Sequence, residues 1–256
     1  AYASTMVGDR EKDGLSSPEA YADFADECYN LGYKAYKMHG WKDGNVSEEI
    51  KMLKAVGERV NGKMKIMYDS ACHLSTIADA LEVGKVCDDY GFYWYEDPYK
   101  DGGVSINGNK YLSKKLSTPI LVGEHVRNLE TSFDMLVKGA SFFSRADPDY
   151  DGGITGCHKL VVASEGLGMD CEIHSCGPAM RQLMGASRNS NFYEVNLLHP
   201  KCKNPWSLPI YLNGYSDQIN CIDSDGHVDV FNEPGLGVVY DWKFIEKQSL
   251  EKIIIK

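Results

Sequence analysis

Long apolar runs are missing from this chain, and with them any expectation of a membrane partner: no stretch approaches the roughly 20 residues that a spanning helix needs. The opening residues, Ala-Tyr-Ala-Ser-Thr-Met, lack the basic stretch and apolar core of a signal peptide. Positive charge is in deficit, with 27 Lys and Arg against 37 Asp and Glu and a net charge of −10. That balance argues against a nucleic-acid partner, because phosphate recognition wants a basic face. No GxGxxG follows a first strand, so a dinucleotide-binding sheet has no support. No HxH marks the first strand, which disfavours a zinc hydrolase barrel. Low-complexity runs and internal repeats are also missing. Cysteine is not scarce, at eight residues, but no two form a CxxC pair. Several sit in apolar stretches, where a free thiol behaves as a small hydrophobe. The expectation is a reducing, cytoplasmic setting and no disulfides.

What the sequence does have is a repeated alternation of short apolar strand, polar loop and helix. Strand candidates are Ala1–Ser4, Tyr33–His39, Lys65–Asp69, Tyr93–Asp97, Ile120–Glu124, Phe143–Asp147, Cys171–Ser175 and Phe192–Asn196. Between them lie helical patterns. One opens at Ser17-Pro18-Glu19, with Ser as N-cap and Pro at the first helical position, and ends near Gly32. It sets Tyr21, Phe24, Ala25 and Cys28 on one face. A second opens at Ser47, and others span 74–90, 107–117, 128–139, 153–167 and 178–189. Alternating strands and helices predict a parallel sheet, and 256 residues match the size of a closed eight-fold β/α barrel. A doubly wound open sheet is the competing architecture. Residues 1–215 are assigned to the barrel. Residues 216–256 form a C-terminal segment that packs back on it, with a last strand at Val238–Trp242 after the turn Pro234-Gly235-Leu236-Gly237.

Active sites of such barrels sit at the C-terminal strand ends, and there the sequence places His39, Asp69, Glu96-Asp97, Glu124, Asp147, His174 and Glu194. Three carboxylates from adjacent strands, Asp69, Glu96 and Glu124, would repel one another unless a cation joined them. All-oxygen ligation suits Mg²⁺. Lys37 and His39 share a strand face by alternation. Either they serve a substrate carboxylate and a proton transfer, or they are a solvent-seeking Lys and a strand-capping His. Asp147 and His174 end neighbouring strands, and a His held by an Asp suits general acid or base work. Glu194 reads two ways: a protonated donor to a substrate oxygen, or an acid paired with Arg145 or a Lys. Asp149 and Asp151 read as solvated or capping residues. Cys72 and Cys176 lie near the site, but no basic partner in the sequence marks either as a nucleophile.

Taken together these segments resemble the mandelate racemase subgroup of the enolase superfamily. The resemblance rests on Lys-Met-His at 37–39, Met-Tyr-Asp at 67–69, Trp-Tyr-Glu-Asp-Pro at 94–98 and Val-Gly-Glu at 122–124. It continues through Arg-Ala-Asp-Pro-Asp-Tyr-Asp-Gly-Gly-Ile-Thr-Gly at 145–156, Glu-Ile-His-Ser at 172–175, Phe-Tyr-Glu at 192–194 and the Pro-Gly-Leu-Gly at 234–237. It implies a TIM-type (β/α)7β barrel with Asp69, Glu96 and Glu124 on Mg²⁺. It makes His174, oriented by Asp147, the acid/base on one substrate face and residue 39 the acid/base on the other. It sets Lys37 by the substrate carboxylate, with Glu194 polarising that carboxylate opposite the metal. Two departures stand out. The family's second Lys of Lys-x-Lys is His39 here, and Ala71 replaces the Asn of mandelate racemase itself, which argues against mandelate as substrate. Family members carry an N-terminal α+β capping domain. This sequence begins at the first barrel strand, so a barrel lacking that cap is expected.

The resemblance implies abstraction of the proton next to a carboxylate, through an enediolate. The preferred outcome is dehydration of a sugar acid, which tolerates a weakened residue 39. Racemisation or epimerisation, cycloisomerisation of an anhydro-sugar acid, a Schiff-base aldolase built on Lys37, and an inactive barrel serving as subunit or binding module are the alternatives. His73, His125 and Arg145 are further candidates for substrate contact, and a homo-oligomer is expected.

Overall fold

In the computed structural model, which describes residues 1–251 and 253, eight parallel strands enclose a small apolar interior and seven helices wrap them. Helix α1 (Pro18–Leu31) begins where the Ser17 hydroxyl accepts the Ala20 N–H at 3.2 Å, and stops at Gly32, whose φ of 112° few other residues adopt. Strand β1 (Tyr2–Thr5) precedes it and β2 (Ala35–His39) follows. Helix α2 spans Val46–Val60. Its cap is Asn45, whose side chain accepts from Glu48 N–H, so it opens earlier than the Ser47 expected from sequence. After β3 (Lys65–Asp69), Thr76 and Asp79 exchange side-chain-to-backbone bonds of 3.1 and 2.9 Å to start α3 (Ile77–Tyr90). The series continues with β4 (Trp94–Glu96), α4 (Ile106–Ser113), β5 (Ile120–Leu121), α5 (Leu129–Val137), β6 (Ser144–Ala146), α6 (Gly153–Gly166), β7 (Cys171–Ile173), α7 (Pro178–Gly185) and β8 (Glu194–Leu198).

Six strands pair in the order β5-β4-β3-β2-β1-β8, and β6 pairs with β7. Two seams complete the ring by other means. Phe142 N–H donates to Ile120 C=O at 2.9 Å, and Val122 N–H to the Ser141 hydroxyl at 3.1 Å, between β5 and β6. Across β7 and β8 the stitching is by side chains: Ser175 N–H to Glu194 at 2.7 Å and the Asn196 amide to the Ser175 hydroxyl at 2.7 Å.

Strands four to seven are shorter than the sequence predicts. Asp97, Glu124, Asp147 and His174 therefore lie in the turns just beyond their strands, where backbone can bend side chains over the mouth. Glu194 opens β8 instead of ending it. Its level is nonetheless right, because barrel strands tilt and stagger around the axis. The expected strand at Val238–Trp242 is not formed: Tyr240 makes one isolated antiparallel bridge to Tyr211, and Trp242 already starts helix α8 (Trp242–Gln248). Asp241, capping Phe244 N–H at 2.9 Å, gives the chain a helix start there. Strand β8 ends at Leu198, so the boundary expected at residue 215 falls inside the irregular segment that follows. Arg181 on α7 meets that segment, with its guanidinium 2.7 Å from Asp217, which also accepts the hydroxyls of Tyr193 and Tyr215 at 2.8 and 2.7 Å. Asp151, expected to be solvated or capping, is buried, and its carboxylate accepts the Asp147 N–H at 2.9 Å. All eight cysteines are free thiols, and among the described residues no helix is long and apolar enough to cross a membrane.

The interior positions the site. Tyr2, Ala35, Met67, Trp94, Leu121 and Phe143 form the buried filling, with Phe192 packed against it. Two residues further along β2, β4 and β6, and likewise beyond Phe192, the same inward face carries Lys37, Glu96, Arg145 and Glu194. The barrel thus turns from apolar to fully charged in one layer, contributed by alternate strands as barrel packing requires.

Candidate active site

That charged layer is a closed ring. Lys37 Nζ stands 2.9 Å from Glu96 and 3.0 Å from Glu194, and Arg145 Nη2 stands 2.8 Å from Glu96 and 3.3 Å from Glu194. None of the four is more than 3% exposed. Burial disfavours charge on each, and opposite neighbours repay it. For Glu194, burial is outweighed by Lys37, Arg145, His174 and the Ser175 N–H, which hold its carboxyl well below the usual range. Of the two readings of Glu194, the contacts favour the acid paired with Arg145 and a Lys. Arg145, expected to reach substrate, spends its guanidinium on two carboxylates of this chain. Trp94 Nε1 adds a bond to Glu96 at 3.1 Å.

Above the ring stand Asp69, from β3, and Glu124, from the turn after β5. With Glu96 they offer three carboxylate oxygens within 4.8 Å of one another. The ring's two cations balance only two of the four carboxylates present, so Asp69 and Glu124 leave two negative charges over, the charge of one divalent ion. Glu96 Oε1 is buried and makes no aligned hydrogen bond, its neighbour Arg145 notwithstanding. A hard divalent cation such as Mg²⁺ fits this donor set.

His174, just beyond β7, hydrogen-bonds Asp147 through Nδ1 and turns Nε2 to within 3.4 Å of Glu124. Burial opposes its protonation, but Asp147 and Glu124 outweigh burial and raise its pKa. A residue that sequence reasoning missed steadies it: Arg127 lies 3.6 Å over the Tyr150 ring, and Tyr150 stacks on His174 at 6.4 Å. No periodicity or motif marks Arg127, which sits in the turn before α5.

His39 is held on both sides. Its Nδ1 is 2.7 Å from the Thr5 carbonyl, Thr5 Oγ1 accepts its backbone N–H at 3.0 Å, and its Nε2 is 3.0 Å from Asp69. Lys37 is buried; the carboxylates of Glu194 and Glu96 outweigh burial and keep it an ammonium. His73, in the turn after β3, is half-buried and its pKa is lowered, chiefly by desolvation. His125 is not with the ring. Its Nε2 stands 3.2 Å from Asp97, and the two form a cluster with Cys72. Cys72 therefore does have a basic neighbour, contrary to the sequence reading. The two come from turns 53 residues apart, a proximity that no local pattern encodes.

Parallel β/α barrel, charged interior layer and carboxylate trio at the strand ends define the class as the enolase-type barrels. Comparison with known families gives the same answer, for residues 20–244 match the enolase C-terminal domain-like family and the chain belongs to it. Among curated relatives, an arabinonate dehydratase of Saccharolobus solfataricus is 27% identical over 220 residues, covering 83% of this chain and 55% of the relative. An N-succinyl-L-Arg/Lys racemase of Bacillus cereus is 25% identical over 162 residues, covering 63% and 42%. Among solved structures, D-glucarate dehydratase from Agrobacterium tumefaciens, complexed with magnesium, superposes with a TM-score of 0.83 at 31% identity, covering 96% of this chain and 64% of that one. The chain thus spans about half the length of the curated relatives it matches.

Proposed function

We propose that the chain is the catalytic barrel of a Mg²⁺-dependent lyase that dehydrates a sugar acid to its 2-keto-3-deoxy product. The observation that carries the reading is that His174, facing the carboxylate trio, has a carboxylate, Asp147, behind its Nδ1, whereas His39 has only the neutral Thr5 carbonyl there. One carboxylate-backed acid/base serves elimination; racemisation asks for two. Asp69, Glu96 and Glu124 would hold the ion, which supplies fixed positive charge where the substrate carboxylate gains electrons. Lys37 adds positive charge in the layer beneath.

Asp147 takes the Nδ1–H of His174, which leaves Nε2 as the proton acceptor. Nε2 removes the α-proton, and the C–H electron pair moves onto the carboxylate oxygens as an enediolate. The β C–O bond then breaks. The hydroxyl leaves as water with the proton returned by the same imidazolium, and the enol product tautomerises to the 2-keto acid. A Schiff-base role for Lys37 is disfavoured, because its amine is locked as an ammonium between carboxylates.

The test is a sugar-acid library in D₂O with Mg²⁺, read by mass spectrometry and NMR. Loss of water from one acid is expected, with His174→Ala lowering kcat by about 10²–10⁴-fold, the usual worth of general acid–base catalysis. Deuterium at the α-carbon without water loss would replace dehydration by epimerisation and make His39 a working base. No exchange with any acid would favour a non-catalytic barrel.

A further inference from the structure

We propose that Cys72, Asp97 and His125 form a second cation site, for one borderline-soft divalent ion such as Zn²⁺, beside the carboxylate trio and sharing no residue with it. The thiol, a carboxylate oxygen and a ring nitrogen lie within 4.8 Å of one another. Sulfur and imidazole with one carboxylate are the donors zinc selects, unlike the all-oxygen trio next door.

Three observations point to a ligand and not to a packing contact. Asp97 is fully buried, yet both of its carboxylate oxygens lack a hydrogen-bond partner. The His125 ring beside it gives charge but no aligned hydrogen bond, so the buried carboxylate keeps acceptor capacity that a shared cation would satisfy. His125 Nε2 is 3.2 Å from Asp97 Oδ2 but is not aligned as a hydrogen bond to it. Two ligands each about 2.0–2.1 Å from a tetrahedral zinc stand about 3.3 Å apart, which matches that spacing. Finally, the site is walled yet reachable. A Cβ on Gly103 would come within 2.8 Å of Asp97 Oδ1 and 3.5 Å of the His125 ring, so the 101–103 loop packs against the cluster only because it has no side chain there. Cys72 and His125 remain partly exposed, which leaves an entry path and a fourth position for water.

The placement gives the second site a relation to the first. Asp97 follows Glu96, His125 follows Glu124 and Cys72 comes three residues after Asp69. The same three strand ends and the turns that follow them therefore carry both ligand sets, and an ion in the second would stiffen the backbone that presents the first.

The experiment is a titration of the Mg²⁺-saturated chain with Co²⁺ as spectroscopic probe, followed by Zn²⁺ displacement. One equivalent of Co²⁺ should give a thiolate-to-cobalt charge-transfer band with tetrahedral d–d absorption, abolished by one equivalent of Zn²⁺. Cys72→Ser should lose the thiolate band and weaken Zn²⁺ binding by more than about 100-fold, since even outer-shell partners of zinc ligands cost 10–100-fold. His125→Gln should weaken Zn²⁺ to the same degree while its circular dichroism stays that of the parent. The proposal is overturned if the parent shows no thiolate band, or if Cys72→Ser retains both band and affinity, which would assign the binding to another thiol such as exposed Cys202. Neither result depends on whether the barrel dehydrates anything.

Discussion

Arg145 shows how little a residue's type says about its task. From sequence it reads either as a substrate contact or as the partner of Glu194, and the structure builds it into a buried ring with Glu96, Glu194 and Lys37. Removing one partner from such a ring strands the others. Arg145→Met is expected to lower unfolding free energy by about 3–5 kcal/mol, the usual cost of breaking a buried pair. The double variant R145M/E194Q should recover part of that loss, because it removes the uncompensated charge along with its partner. Urea denaturation decides the matter: strictly additive losses would mean the two do not interact. At this scale the sequence was legible where side chains act through strand alternation, as for Lys37 and His39, which both reach Asp69. It was opaque where distant turns meet, as for Cys72 with His125, or where a pair closes through a third residue, as for Arg127 with Tyr150.

The elements were legible where local chemistry decides them. Ser17-Pro18 begins α1 and Gly32 ends it because capping needs only neighbours. Strands β4 to β7 were overestimated because barrel pairing, not local propensity, determines where a strand stops. Helix α2 holds a further case. Glu49 is a first-turn acid by sequence, yet it points inward and is 2% exposed, accepting Trp41 N–H at 2.9 Å and the Tyr68 hydroxyl at 2.9 Å. Gly40 leaves room for it, since a Cβ there would sit 1.9 Å from its carboxylate. Burial, the largest influence, pushes its pKa from the ordinary 4.5 to about 7 against the two donors. Across that interval the folded chain keeps a proton that the unfolded chain has released, so stability falls as pH rises through it and levels off above. The contribution approaches about 3 kcal/mol by pH 7.5. Glu49→Gln should flatten that stretch of the stability–pH curve; parallel curves for parent and variant would show that Glu49 does not carry the proton.

The whole molecule was the most legible level, because seven strand–helix units and a closing strand leave few alternatives to a closed barrel. What the repeats could not reveal is how the ring is sealed. Two of its seams rest on a few backbone and side-chain bonds instead of full ladders, and Arg181 fastens the segment after β8 through Asp217. The carboxylate trio comes from three neighbouring strand ends within the six-stranded part. Binding of Mg²⁺ there would tie three strand ends to one centre and, at about 100 times its Kd, should add about 2.7 kcal/mol to stability. Thermal unfolding with and without Mg²⁺ measures it, and Asp69→Asn should remove the shift. An undiminished shift in that variant would mean the ion binds elsewhere.

The level at which the interior changes from Trp94 and Phe143 to the neutral quartet of Lys37, Glu96, Arg145 and Glu194 has one more consequence. It is a floor, closed below by packed aromatic and aliphatic side chains. On the proposed function, a sugar acid would meet it with its carboxylate end. The rest of that molecule would then project outward among the turns that carry His73, Arg127 and Tyr150. Such a site divides its labour by depth, so that new preferences can be acquired by rewriting the rim while the chemistry below is inherited intact.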